Sequence, residues 1–116
     1  METKIFRIIA LDFDGTCCEF NFPEIGKIKP INQKVIDFIR YQKLNGSTII
    51  LWTCRADTEK RKYLQEAVDW CKKNNIPIDY INENTPHTKS VFGQDTRKVV
   101  ADLYLDDKAL NIFELR

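Results

Sequence analysis

The chain has 116 residues and a formal net charge of +1, from 18 Lys and Arg against 17 Asp and Glu. That length supports a single domain over residues 1–116, near the small end for a doubly wound sheet. Mixed charge excludes the long basic stripe that drives nonspecific nucleic-acid binding, no apolar run reaches the length of a membrane span, and the N-terminus lacks a signal-peptide pattern, so the expected location is cytoplasmic with no membrane partner.

The first predicted element is a strand over Ile8-Ile9-Ala10-Leu11, an apolar run that ends in Asp12-Phe13-Asp14-Gly15-Thr16. Side chains alternate along extended backbone, so Asp12 and Asp14 leave on the same side, and Gly15 lets the chain turn close beside them. Two carboxylates so near each other need a cation or a shared proton. An irregular segment follows from Glu19 to Lys29, with Pro23 and Gly26 inside it. A helix then starts near Pro30, with Asn32 as its expected cap, Ile31, Val35, Phe38, Ile39 and Gln42 at helical spacing, and Gly46 at its end.

A second strand, Thr48 to Trp52, stops at Thr53. Asp57 or Thr58 is placed to cap the next helix, whose apolar face is Leu64, Ala67, Val68 and Cys71 and which ends at Asn74, Asn75 and Pro77. Ile78 to Ile81 alternates as a short strand, residues 82–95 read as a polar loop with room for one helical turn, and a fourth strand from Val99 to Leu105 stops at Asp106-Asp107. Ala109 to Phe113 is placed to begin a last helix. Alternating strands and helices predict an α/β fold with a mostly parallel, Rossmann-like sheet in a three-layer sandwich. In such sheets ligands sit at the carboxyl ends of the strands, where Asp12, Thr53 and Asp106-Asp107 all fall.

The cysteines, Cys17, Cys18, Cys54 and Cys71, form no CxxC pair and suit neither a disulfide framework nor a zinc site, so reduced thiols are expected. Lys108 is placed to pair with one of the two preceding aspartates, and Arg55 to offer either a bidentate phosphate contact or a solvated approach to the helix.

Asp12-Phe13-Asp14-Gly15-Thr16, the strand-ending Thr53 and the late Asp106-Asp107 resemble, in order and spacing, the haloacid dehalogenase superfamily of phosphatases over nearly the whole chain. The resemblance implies that fold without a cap domain, because neither interval between the motifs has space for one. It implies Asp12 as the nucleophile that becomes an aspartyl-phosphate, Asp14 as general acid and base, and Thr53 as the hydroxyl that holds the phosphoryl group. Gly15, Thr16, Cys54 and Arg55 are the further candidate substrate-binding residues. Magnesium is the implied cofactor, held by a carboxylate oxygen of Asp12, the main-chain carbonyl of Asp14, and Asp106 or Asp107. Two lysines compete for the basic third motif. Lys98 is similar in context to some polynucleotide phosphatase domains, but an extended strand from Ala101 would leave it more than about 20 Å from Asp106. Lys89, in the loop after the third strand, is the better placed.

A signalling receiver domain uses similar groups at a similar size, but with the acidic pair early and the acceptor aspartate in the middle, opposite to the order here. The expected activity is therefore magnesium-dependent hydrolysis of a phosphate monoester, and the alternative is a noncatalytic binding or regulatory protein on the same fold. Nucleotides, sugar phosphates and phosphorylated polymer ends, nucleic acid among them, all remain candidate substrates. The site is expected to be open unless the Glu19 to Lys29 segment or a second copy in a homo-oligomer covers it.

Overall fold

A computed structural model describes residues 3–115. In chain order its elements are β1 (Ile8–Leu11), α1 (Pro30–Leu44), β2 (Thr48–Leu51), α2 (Tyr63–Lys73), β3 (Tyr80–Ile81), α3 (Pro86–Phe92) and β4 (Leu103–Leu105), followed by a 3-10 turn at Ile112–Glu114. The four strands form one all-parallel sheet in the order β3-β2-β1-β4. The fold is α/β with a Rossmann-like arrangement, and no described helix is long and apolar enough to cross a membrane.

Register positions the site. Leu11 lies opposite both Leu51 and Leu105, and Leu51 opposite Ile81, so all four strands end level. The ladder runs one residue further: the Asp12 N–H donates to the Leu105 carbonyl at 3.0 Å, and the Trp52 and Asn82 N–H groups donate to Leu11 and Leu51 at 2.8 Å each. Residues just past four different strands are thereby gathered at one edge.

Alternation along the strands sends Ile9, Leu11, Ile49 and Leu51 to one face, where they pack with Ile36 and Ile39 of α1 and with Ala67 and Cys71 of α2. Phe13 joins this cluster and meets Trp70 edge to face, with ring centroids 5.5 Å apart. Each fully buried aliphatic side chain contributes about 1.5–3 kcal/mol of transfer free energy. Both long helices share this face because β1 to β2 and β2 to β3 step across the sheet in the same direction, and crossovers of one hand then land on one side. On the other face Ala10 and Ile50 are covered by Val99, with Ile8, Trp52, Tyr80 and Ala101 packed around them. The packing on that face thus comes largely from irregular chain, not from a second pair of long helices.

Several elements differ from expectation for local reasons. Helix α1 starts at Pro30, but Asn32 lies inside it, accepting from the Lys29 N–H at 2.9 Å and donating to the Thr16 carbonyl at 3.0 Å. Its buried residues are Asn32, Ile36, Ile39 and Gln42, whereas Ile31 is exposed. Gln42 is buried because its amide accepts from the Phe6 N–H and donates to the Lys4 carbonyl. Helix α2 begins at Tyr63, later than Asp57, yet the Asp57 carboxylate accepts from the N–H groups of Leu64 and Gln65 at 3.0 Å and so still serves its first turn. The loop after β3 holds α3, capped by the Thr85 hydroxyl.

Strand β4 is shorter than the apolar run around it. Buried Asn84 accepts from the Val100 N–H at 2.7 Å and donates to Asp95 and Thr96, which draws residues 95–100 onto the sheet face instead of into its ladder.

Candidate active site

Asp12, Asp14, Thr53, Cys54, Arg55, Asp106 and Asp107 line a cleft of about 350 Å³ at the level strand ends, together with Phe20, Phe22 and Lys108. Three of these acids converge: Asp12, Asp106 and Asp107 each bring a carboxylate oxygen within 4.8 Å of the others. Thr16 ties two of them together. Its hydroxyl donates to Asp12 at 2.9 Å and accepts from the Asp107 N–H at 3.1 Å. Thr16 is buried and so acts from beneath the acids, positioning the Asp12 carboxylate.

Gly15 has a φ of +89°, and a Cβ built there would overlap the Asp107 carboxylate. Both the backbone conformation and the close approach of Asp107 require glycine. Gly15→Ala is therefore expected to cost at least about 1 kcal/mol of stability and to displace Asp107, weakening divalent-cation binding. Denaturant unfolding and cation titration of the variant measure the two effects separately.

The acid cluster carries an electrostatic load. The Asp12 carboxyl is pushed up from 3.8 to about 7, first by burial, with the charge of Asp106 and the bond to Asp107 adding to it and the Thr16 hydroxyl opposing it. Burial also works upward on Asp107, but the Lys108 ammonium and the bonds from Asp12 and Asp106 outweigh it and hold that carboxyl below its ordinary range. The Asp12 carboxyl therefore keeps its proton to higher pH than an ordinary aspartate. A carboxyl raised by folding contributes stability that is whole below its unfolded value and is lost as pH rises through its folded value. The Asp12 contribution should decline as pH climbs from 3.8 to about 7 in metal-free protein, and affinity for a divalent cation should rise over the same span. Unfolding with chelator present should show wild type losing stability over that span relative to Asp12→Asn. Equal pH slopes for the two proteins would contradict the assignment.

The donor set suits magnesium, a hard cation that takes carboxylate and carbonyl oxygens and retains water. Three carboxylates with a single lysine beside them leave an excess of negative charge for such an ion to balance. The Asp14 side chain takes no part in this cluster. Its Oδ2 and Oδ1 accept from Arg55 Nε and Nη2 at 2.8 and 2.9 Å.

Arg55 is 2% exposed, so it is not the solvated approach to the helix that was one of its two expected positions. Besides Asp14, its guanidinium donates to the carbonyls of Tyr63, Pro23 and Glu24, and it lies between the rings of Phe13 and Phe22, 5.3 and 5.1 Å from their centroids. Its Nε and Nη2 donors are taken by Asp14 and by the Pro23 and Glu24 carbonyls.

Thr53 sits at the cleft as expected. Its N–H donates to Asn82 Oδ1 at 2.8 Å and its hydroxyl accepts from the Arg55 N–H at 3.1 Å, leaving the hydroxyl proton for a ligand. Cys54 is exposed beside it, while Cys17 and Cys18 are buried behind the site and all four cysteines are free.

Neither candidate third-motif lysine lines the cleft. Lys89 lies on α3 and pairs with Glu83, whose carboxylate holds the ammonium above its ordinary pKa. Lys98 stands 5.3 Å over the ring of Tyr104, whose hydroxyl donates to the Val99 carbonyl at 2.6 Å. Lys98 therefore lies beside the Tyr104 ring of β4. The described cations at the cleft are Arg55 and Lys108, the latter 3.2 Å from Asp107 Oδ2.

Phe20, Phe22 and Asn82 are cleft or supporting residues that the sequence did not single out. Two bare phenylalanines in a Pro- and Gly-containing segment directly after the acidic motif were the available signal. Asn82 offered none, since its role rests on a φ of +51° and on β3 ending level with β2.

No family model and no curated protein matches the chain. A solved structure does: the chain is similar to one described as a conserved protein coded by a locus of Bacteroides thetaiotaomicron, at 29% identity and a TM-score of 0.71, over 97% of this chain and 83% of that one. The likeness supports the fold.

Proposed function

We propose that the protein is a small, capless phosphohydrolase of the haloacid dehalogenase type, which cleaves a phosphate monoester through an aspartyl-phosphate on Asp12. The observation that carries this reading is the meeting of Asp12, Asp106 and Asp107 at level strand ends, with Thr53 across the same cleft. Asp12 and the acidic pair would hold magnesium, which would neutralise charge on the phosphoryl group.

Asp12 attacks phosphorus once its proton has passed to solvent, and Thr16 keeps the carboxylate in line. The free proton of the Thr53 hydroxyl binds a phosphoryl oxygen. Lys108 offers a second positive contact at the cleft. Asp14 delivers a proton to the leaving oxygen and later takes one from the hydrolytic water. Delivery requires one arm of the Arg55 fork to open, because both Asp14 oxygens accept from Arg55. Taking a proton from the hydrolytic water leaves Asp14 protonated again, so the second half calls for the same opening.

A second reading, a noncatalytic binding protein on the same fold, is favoured by one observation: neither Lys89 nor Lys98 lines the cleft. Phosphate release from a panel of phosphate monoesters, with magnesium and with chelator, separates the two. Chelator-sensitive release supports the first reading; magnesium binding without any release supports the second.

A further inference from the structure

We propose that Phe20 and Phe22 form an aromatic rim that selects phosphate monoesters whose leaving group carries a planar ring, a nucleobase or an aryl group. The inference rests on the phosphatase reading of the cleft and adds the class of substrate.

Both rings line the cleft, and they remain 60% and 48% exposed. A phenyl ring has no polar handle that would account for leaving it in water beside a charged site. The segment that carries them is tied down at two places. The Glu19 N–H donates to the Lys27 carbonyl at 2.7 Å, and Gly26 lies so close to the Glu19 carbonyl that no Cβ would fit. The carbonyls of Pro23 and Glu24 accept from Arg55 at 3.2 and 3.3 Å. The backbone that carries the rings is thereby pre-organised, so less ordering entropy is lost when a ligand stacks on them.

Each phenylalanine stands one cation away from an acid of the site. Lys108 Nζ is 5.0 Å from the Phe20 centroid and 3.2 Å from Asp107, and Arg55 is 5.1 Å from the Phe22 centroid while it grips Asp14. Asp14 is the group that serves the leaving oxygen, so Phe22 flanks the side on which the leaving group departs. Phe22 also packs on Tyr63, with centroids 5.6 Å apart, which occupies part of its surface. Phe20 has Lys108 as its ring partner and is the more available platform. Neither ring gives hydrogen bonds to a sugar or polyol, but each gives a π face to a planar ring.

Two substrate pairs of matched leaving oxygen test the proposal: adenosine 5′-monophosphate against ribose 5-phosphate, and benzyl phosphate against cyclohexylmethyl phosphate. The ring-bearing member of a pair should show a kcat/KM roughly tenfold higher or more, the scale of one base–aromatic stacking contact. Phe20→Leu, which keeps an apolar side chain without a π face, should bring the two members together. Preference in the first pair alone supports the proposal with a nucleobase as the ring, and preference in the second alone supports it with an aryl group. No preference in either pair overturns it. If none of the four is hydrolysed, the phosphatase reading is left to the wider monoester panel, and calorimetric titration of the magnesium-loaded protein with the same compounds decides the rim separately: tighter binding of the ring-bearing member upholds it, and equal binding overturns it.

Discussion

Replacing Asp12 with Asn should lower turnover by at least about a thousandfold, the scale of losing a nucleophile rather than a contact. Asparagine keeps the shape of the side chain, and its carbonyl oxygen can still accept from the Thr16 hydroxyl, so the fold is expected to persist. The variant loses the nucleophilic oxygen and one negative charge of the acidic cluster. Magnesium affinity should fall as well, and unfolding in chelator should show a protein no less stable than wild type at neutral pH, because the Asp12 carboxylate is costly to ionise in the fold. The measurements are phosphate release and cation titration on both proteins. Undiminished metal-dependent hydrolysis by Asp12→Asn would sink the assignment of the nucleophile.

The largest loss of stability is expected at Arg55. The side chains of Arg55 and Asp14 are only 1% and 12% exposed, and the pair is bidentate. Breaking such a pair from one side leaves a charge without its partner and costs about 3–5 kcal/mol. Arg55→Met keeps the length and most of the packing against Phe13 and Phe22, but strips the donors from Asp14 and from the carbonyls of Pro23, Glu24 and Tyr63. Three parts of the chain lose an anchor together: the acidic motif, the Glu19 to Lys29 segment and the start of α2. Denaturant unfolding should register the loss, and adding Asp14→Asn to the same chain should recover part of it, since an uncharged amide needs no counter-ion. Arg55→Lys should not substitute, because an ammonium cannot reproduce the fork. An Arg55→Met protein within about 1 kcal/mol of wild type would show that the pair contributes less than its burial implies.

What was legible in the sequence is what depends on neighbours along the chain. The apolar runs ending at Asp12, Thr53 and Asp106 gave the strands, and equal register then gathered their ends. That Asp57 serves the first turn of α2 was readable because a carboxylate before a helix has a standard use, although the cap position itself falls to Lys62. Features set by distant partners were not readable. The match of Arg55 to Asp14 spans 41 positions, and nothing near Arg55 announces it. The buried face of α1 is rotated from the apolar pattern because Asn32 and Gln42 find backbone partners in Thr16, Phe6 and Lys4, and a polar residue so satisfied can displace Ile31 from the interior. The extent of β4 was overestimated because Asn84 competes for the backbone at Val100.

The order β3-β2-β1-β4 places the two shortest strands, of two and three residues, on the outside of the sheet. A margin that short gives a neighbouring chain almost no open ladder to continue, the same economy by which many proteins resist edge-to-edge aggregation. Growth of the sheet from one molecule into the next is thus disfavoured by its outline, and any self-association has to be made by side chains.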